Sequence, residues 1–250
     1  MSTEAQAVPT PPLDATTRGL DLSYPVLRSQ LQNINFALSY DDKSFDNTSN
    51  GATTSYGIKA YNASLSASLV DNWQGGGVTN ASVAMTRGDK NTDSRFAKLN
   101  LNLSRLQSLN DSLSVYVAAS AQTTHGNLDS SEKMYLGGAT GVRAYPVSEG
   151  GGSNGQLTTV ELRMKLPKSW ELRLFHDAGR VKQYVDEHKA MTGTPNILSY
   201  RGYGASLAWQ GPGNFTFTAT WAQRIGDNPY PSVSSPDKDQ DGTRKIDRLW

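Results

Sequence analysis

Residues 156–180 read QLTTVELRMKLPKSWELRLFHDAGR, and their rhythm decides the fold. From Gln156 to Leu166, the side chains of Thr158, Val160, Leu162, Met164 and Leu166 fall on one face of an extended chain, while Thr159, Glu161, Arg163 and Lys165 fall on the other. Trp170 to Arg180 repeats the pattern, setting Trp170, Leu172, Leu174 and Ala178 against Glu171, Arg173, Phe175, Asp177 and Gly179. Only Pro167 to Ser169 separates the two segments, so they read as an antiparallel pair with one apolar and one charged face.

Outward from this hairpin the alternation recurs at Ala97 to Ser104, Leu113 to Ala121, Tyr203 to Trp209 and Phe215 to Trp221. Earlier strands are expected at Arg18 to Val26, Asn33 to Tyr40, Tyr56 to Leu69 and Thr79 to Arg87. A phase slip at Ala60 and Tyr61 reads as a β-bulge. With Lys245 to Trp250 the count is eleven strands and no sustained helical period, so the chain is all-β.

Connections alternate in length. Short turns are expected at Leu27 to Gln32, Asn72 to Val78, Gln107 to Asn110, Pro167 to Ser169 and Gln210 to Gly213. Long polar loops are expected at Asp41 to Ser55, Gly88 to Arg95, Thr123 to Gly155, Val181 to Gly202 and Arg224 to Arg244. A meander with short turns at one end and long loops at the other is the pattern of an outer-membrane β-barrel, and Trp170, Trp209 and Phe215 lie beside short turns, where an aromatic girdle belongs. A soluble barrel or sandwich with its apolar face inward alternates equally well and stays open at this point. Single-chain bacterial barrels have an even number of strands, and Lys245 to Trp250 offers six residues where ~9–11 span a bilayer. Both ends therefore read as cut, and the expected form is an open curved sheet.

Composition narrows the function. The 250 residues carry 24 basic and 23 acidic side chains, a formal charge of +1 that argues against a charge-driven nucleic-acid binder. Mean hydropathy is −0.53, and no apolar run approaches the ~20 residues of a helical span. The absence of cysteine removes disulfides, thiolate metal sites and cysteine nucleophiles. Residues 1–15 read as a disordered linker or fragment start, and MSTEAQAVPTPP has neither the basic nor the apolar region of a secretory signal, so the true start is expected upstream.

The stretch NLDSSEKMYLGGATGVRAYP (Asn127 to Pro146), followed by GQLTTVELR (Gly155 to Arg163) and LFHDAGRV (Leu174 to Val181), resembles the haemolysin-activator branch of two-partner secretion transporters, the TpsB family of ShlB/FhaC/HecB type. The family's superfamily carries V-R-G-[YF] in this loop; here it is Val142, Arg143, Ala144, Tyr145, Pro146, the alanine variant of the secretion branch. The resemblance runs from about Thr16 onward. It implies a sixteen-stranded antiparallel transmembrane barrel in a Gram-negative outer membrane, of which residues 16–250 would be about the last eleven strands, with POTRA domains upstream. It implies a partner exoprotein of haemolysin or adhesin kind (TpsA-type) as cargo, and residues 123–155 as a lumenal plug loop. Arg143 would pair with Asp177 of the F-x-D-x-G motif, whose Phe175 and Gly179 share its face; Glu161, Arg163, Glu171 and Arg173 would be further lumen-facing residues. An assembly insertase of the same superfamily and a passive porin are the alternatives.

Other features carry less. DKDQDG places Asp237, Asp239, Asp241 and Gly242 as in the first half of an EF-hand, but Arg248 stands where the closing Glu belongs, so a solvated acidic loop is the reading. His125, His176 and His188 lack metal spacing, and His176 falls on the apolar face. No metal, cofactor, nucleotide or catalytic constellation stands out, and no enzyme activity is expected.

Overall fold

The computed structural model describes residues 13–49, 52–91, 94–189, 195–229, 239 and 247–250. Alternation becomes the strands β1 (Leu13–Arg28), β2 (Gln32–Ser49), β3 (Ala52–Asp71), β4 (Gly77–Lys90), β5 (Ser94–Ser108) and β6 (Leu113–Thr124), then the two-residue β7 (Met134–Tyr135) and β8 (Gly151–Gly152). β9 (Asn154–Leu166), β10 (Trp170–Lys182), β11 (Ile197–Gln210), β12 (Thr216–Arg224) and β13 (Asp247–Leu249) follow. Eleven of these form one antiparallel meander in chain order, open, with β1 and β13 at its edges; β7 and β8 pair only with each other. β6 pairs directly with β9, so everything between them lies outside the main sheet.

Sidedness is settled by which face is covered. Leu101, Leu103, Val117, Val160, Leu162, Met164, Leu174, Leu207 and Phe217 all point to one face and stay exposed. On the opposite face Asp177, Glu161, Gln122, Ser206 and Thr220 are buried. The covered face is concave, because residues of seven strands, from Pro25 on β1 to Glu161 on β9, line one cavity of about 740 Å³. A soluble sheet would hide the leucines and wet the carboxylates; this one is built for lipid outside and water inside. Near the short turns, Trp170 stacks on Trp209 at 5.8 Å and Trp209 meets Phe215 at 6.0 Å, forming the girdle.

Three expectations on strand limits need correction. The loops expected at Asp41 to Ser55 and Gly88 to Arg95 are mostly strand, since β2 and β3 approach to Ser49 and Ala52, and β4 and β5 to Lys90 and Ser94. Past the lipid, the backbone ladder continues without an apolar face, so no alternation marks it. The bulge expected at Ala60 and Tyr61 is absent: register runs unbroken through both, and the irregularity in this region lies between Pro25 and Leu27 of β1. The phase slip arises because Ile58 and Ala60 are apolar yet face inward and are buried. Ile58 stands directly opposite Lys43 and Lys90, both tied to the β6–β9 loop, which covers that part of the inner face. Finally, β1 begins at Leu13, inside the segment read as linker.

Replacing Leu162 by Arg in the whole, membrane-embedded protein should destabilise it by ~2–4 kcal/mol. Asn102→Arg, on the cavity wall, should stay within ~0.5 kcal/mol of the parent. Urea unfolding midpoints in lipid vesicles measure both, and the reverse ranking would mean that the leucine face packs inward.

Candidate functional site

The β6–β9 connection, residues 125–153, folds back onto the concave face. Its own backbone bonds shape it: the Leu136 and Gly137 N–H groups both donate to the Glu149 carbonyl, at 3.1 and 2.9 Å, and the Val142 N–H donates to the Leu136 carbonyl at 2.6 Å. Gly141 sits at this crossing, where a Cβ would stand 2.0 Å from the Leu136 carbonyl oxygen. The result is a short tip presenting Val142, Arg143, Ala144 and Tyr145 to the wall. Val142, Ala144 and Tyr145 are buried with Leu136, Phe175, Val181, Leu198, Tyr200 and Ala222, an apolar seam between loop and strands β10–β12. The Tyr145 and Tyr200 rings meet edge to face at 4.6 Å, and burial pushes the Tyr145 hydroxyl up to about 12. Pro146 closes the tip, its carbonyl accepting from the Glu149 N–H at 3.4 Å. Gly179 completes the seam, since a Cβ there would lie 2.8 Å from Leu136 Cδ2.

Arg143 enters the wall between β9 and β10. Its Nε donates to Asp177 Oδ2 at 2.9 Å, its Nη2 to Asp177 Oδ1 at 2.8 Å, and its Nη1 to Glu161 Oε1 at 2.7 Å. The Arg143 backbone N–H adds a bond to Asp177 Oδ2 at 3.1 Å, and the Thr159 hydroxyl donates to Asp177 Oδ1 at 2.9 Å. Phe175 lies under the guanidinium, its ring centre 3.4 Å from Cζ. Arg163 neutralises the other oxygen of Glu161, at 2.8 and 2.7 Å, and lies over Tyr116. Burial works against the Arg143 charge, but Asp177 and Glu161 more than restore it, so its pKa is raised above the ordinary arginine value. Glu171 and Arg173 also face inward but pair with each other at 2.6 Å, away from this cluster.

Two further anchors escaped the sequence reading. Glu132 receives Lys43 of β2 at 2.8 Å and Lys98 of β5 at 2.8 Å, and Asp129 receives Lys90 of β4 at 2.8 Å. Burial opposes ionisation of both carboxyls, yet the lysine hydrogen bonds and charges outweigh it and hold both below their ordinary pKa. On the far side Asp239 is buried between Arg224 (2.8 Å) and Arg248 (3.1 Å) and accepts from Asn228 at 2.9 Å. Asn228 also donates to Glu149 of the loop, and the Trp250 indole N–H donates to the Arg143 carbonyl at 2.7 Å. Asp239 is thus no solvated residue; Asp237, Asp241 and Gly242 lie outside the described residues. The sequence holds no spacing that links Lys43, Lys90 or Lys98 to the loop; only their inward phase, shared with Ile58, could have flagged them.

A family model described as haemolysin secretion/activation protein ShlB/FhaC/HecB matches residues 14–200. The heme/hemopexin transporter protein HuxB of Haemophilus influenzae (strain Rd) is 28% identical over 159 residues, which are 62% of this chain and 27% of that protein. HuxB of strain 86-028NP is 26% identical over 166 residues, 65% of this chain and 29% of the relative, so the chain spans under a third of the length of these curated relatives. Among solved structures, CdiB from Escherichia coli superposes with TM-score 0.70 at 16% identity, covering 95% of this chain and 44% of CdiB. CdiB from Acinetobacter baumannii gives 0.69 at 16% identity, with 86% and 39% covered. These likenesses show the fold. With the family match extending from the first described strand into β11, across both the loop tip and the strands that receive it, the chain belongs to the ShlB/FhaC/HecB haemolysin secretion/activation family.

Proposed function

We propose that the chain supplies part of the wall and the plug loop of a Gram-negative outer-membrane transporter that passes a secreted partner exoprotein, of TpsA type, through its lumen, with no reaction catalysed. In the whole protein, upstream POTRA domains would hand over the cargo. One observation carries the reading: a loop lies across a polar concave face and is fastened to opposite walls, to Asp177 and Glu161 on one side and to Lys43, Lys90 and Lys98 on the other. A polar inner face with a fastened loop and open volume beside it suits gated passage better than packing. The resemblance to a protein named as a heme/hemopexin transporter supports a transport role.

In the whole transporter, Arg143→Ala and Asp177→Ala should each lower secretion of the partner by about tenfold or more while leaving membrane insertion intact, because the first strips Asp177 of its cation and the second takes the two-pronged partner from Arg143, leaving it only Glu161. The double mutant should be no worse than the poorer single, a coupling on the order of 1–3 kcal/mol. Arg143→Lys should rescue only in part, since an ammonium lacks the planar fork. Immunoblots of secreted partner, with parallel blots of other outer-membrane barrels, make the measurement; normal secretion by both singles, or additive losses, would remove Arg143 and Asp177 from the gating step. A defect in the other barrels instead would point to an assembly insertase.

The carboxylates of the lysine anchor give a second test. Their folded pKa values lie below the unfolded ones, so the stabilisation is complete above the ordinary carboxylate range of about 4–4.5 and is lost as pH falls through the lowered values. Protection factors for amide exchange around residues 129–135 should therefore fall below about pH 4, and in Glu132→Gln they should be low already at pH 7. Flat protection from pH 7 to 3 would show that the lysines do not hold the loop.

A further inference from the structure

The outer face is charged differently at its two ends. Toward the short turns, Arg105 is neutralised by a two-pronged bond to Asp71, at 2.8 and 2.9 Å. Toward the long loops, three neighbouring rows cross β1–β5 in register. Leu22, Leu38, Ala63, Met85 and Leu99 form an apolar row, and Leu20, Tyr40, Tyr61, Arg87 and Ala97 form the next. Arg18, Asp42, Lys59, Asp89 and Arg95 form the third. The Tyr40 and Tyr61 rings lie 5.0 Å apart and mark the interface, as tyrosines do at the headgroup level. Arg87 sits in their row, exposed, with no ion pair or hydrogen bond among the described residues.

Ala63 leaves a gap between the larger Leu38 and Met85. It floors a cleft of about 410 Å³ walled by Leu20, Leu22 and Tyr61 and ending at Arg87. A second hollow of about 600 Å³ begins at the same Tyr61 and Arg87 and runs outward past Asp89, Arg95 and His125, with Arg95 paired to Asp89 at 2.9 Å. One groove is thus apolar where lipid tails lie and, with Arg95 taken up by Asp89, presents the unpaired Arg87 at its junction with the headgroup level. An unpaired guanidinium at an interface is matched by a phosphate, whose oxygens accept both prongs of the fork.

We propose that this groove binds a phosphate-bearing acylated lipid of the leaflet on the long-loop side, one acyl chain over Ala63 and the phosphate on Arg87. The proposal rests on the membrane-spanning reading, and the experiment separates the two. The whole transporter in detergent is titrated with bisphosphorylated lipid A and with its dephosphorylated counterpart, and bound lipid is counted by native mass spectrometry. The parent should hold the phosphorylated form about tenfold more tightly. Arg87→Gln should erase that preference, Arg87→Lys should retain part of it, and Ala63→Leu, filling the cleft floor, should weaken both lipids alike. Should Arg87→Gln fail to insert, Arg87→Lys decides, since an undiminished preference there would mean that no fork is used. Equal binding of the two lipids by the parent, or an unchanged preference in Arg87→Gln, overturns the site. Insertion into vesicles is scored on the same samples: an inserted parent without phosphate preference defeats the lipid site alone, and a parent that does not insert defeats the membrane reading with it.

Discussion

The Arg143 guanidinium is only 11% exposed and Asp177 not at all. Charges taken this far out of water carry a desolvation penalty of several kcal/mol per ion, on the order of what a whole domain has to spare. Such a cluster persists only when every partner is itself partnered. That requirement propagates outward: Arg143 occupies both oxygens of Asp177, Thr159 caps one of them, and the leftover nitrogen requires Glu161, whose second oxygen requires Arg163. Four inner-face positions, Asp177, Thr159, Glu161 and Arg163, are thereby fixed in identity by one buried charge. Thr159, otherwise an ordinary wall residue, cannot take a large or charged replacement without disturbing Asp177.

The same sheet obeys an opposite rule on its outer face. Lipid supplies no hydrogen bonds, so Val115, Leu162, Leu174 and Ala205 stand side by side as an apolar row, and the buried charge cluster lies on the inner face. An inner face this polar cannot close on itself as an apolar core. The loop resolves the conflict with a hybrid surface: Val142, Ala144 and Tyr145 find an apolar seam against Phe175, Leu198 and Tyr200, and Arg143 between them finds the carboxylates. Alternating apolar and charged residues at the loop tip thus match the pleat that receives them.

This division explains what the sequence discloses. Where one face meets lipid and the other water, as in Gln156 to Leu166, alternation is sharp and the strand is legible to within two residues. Where β2 and β3 rise past the lipid, Asp, Lys, Ser and Thr follow one another, and strand cannot be told from loop. Ile58 and Ala60 mislead for a third reason, since the part of the wall they occupy faces a covering loop rather than water. The Arg143 and Asp177 pairing is legible because both sit in recognisable motifs 34 residues apart. Lys43, 89 residues from Glu132, has no motif around it, and only the folded sheet brings its charge to the loop.

The walls flanking the loop are not alike. On β2–β6, Asn35, Ser66, Ser82, Asn102 and Ser120 stand in one row and Asn33, Ser68, Asn80 and Ser104 in the next, small neutral groups without a fixed charge. Amides and hydroxyls exchange partners with water at little net cost, about 1 kcal/mol or less each, so that wall grips nothing tightly. The lysine anchor above it is wetter than the arginine anchor, with Lys43 and Lys90 at 23% and 26% exposure. Water screens such pairs and weakens them, whereas the drier Arg143 cluster is screened less. The loop is thus fastened by a wetter anchor on the β2–β5 side and a drier one on the β9–β10 side.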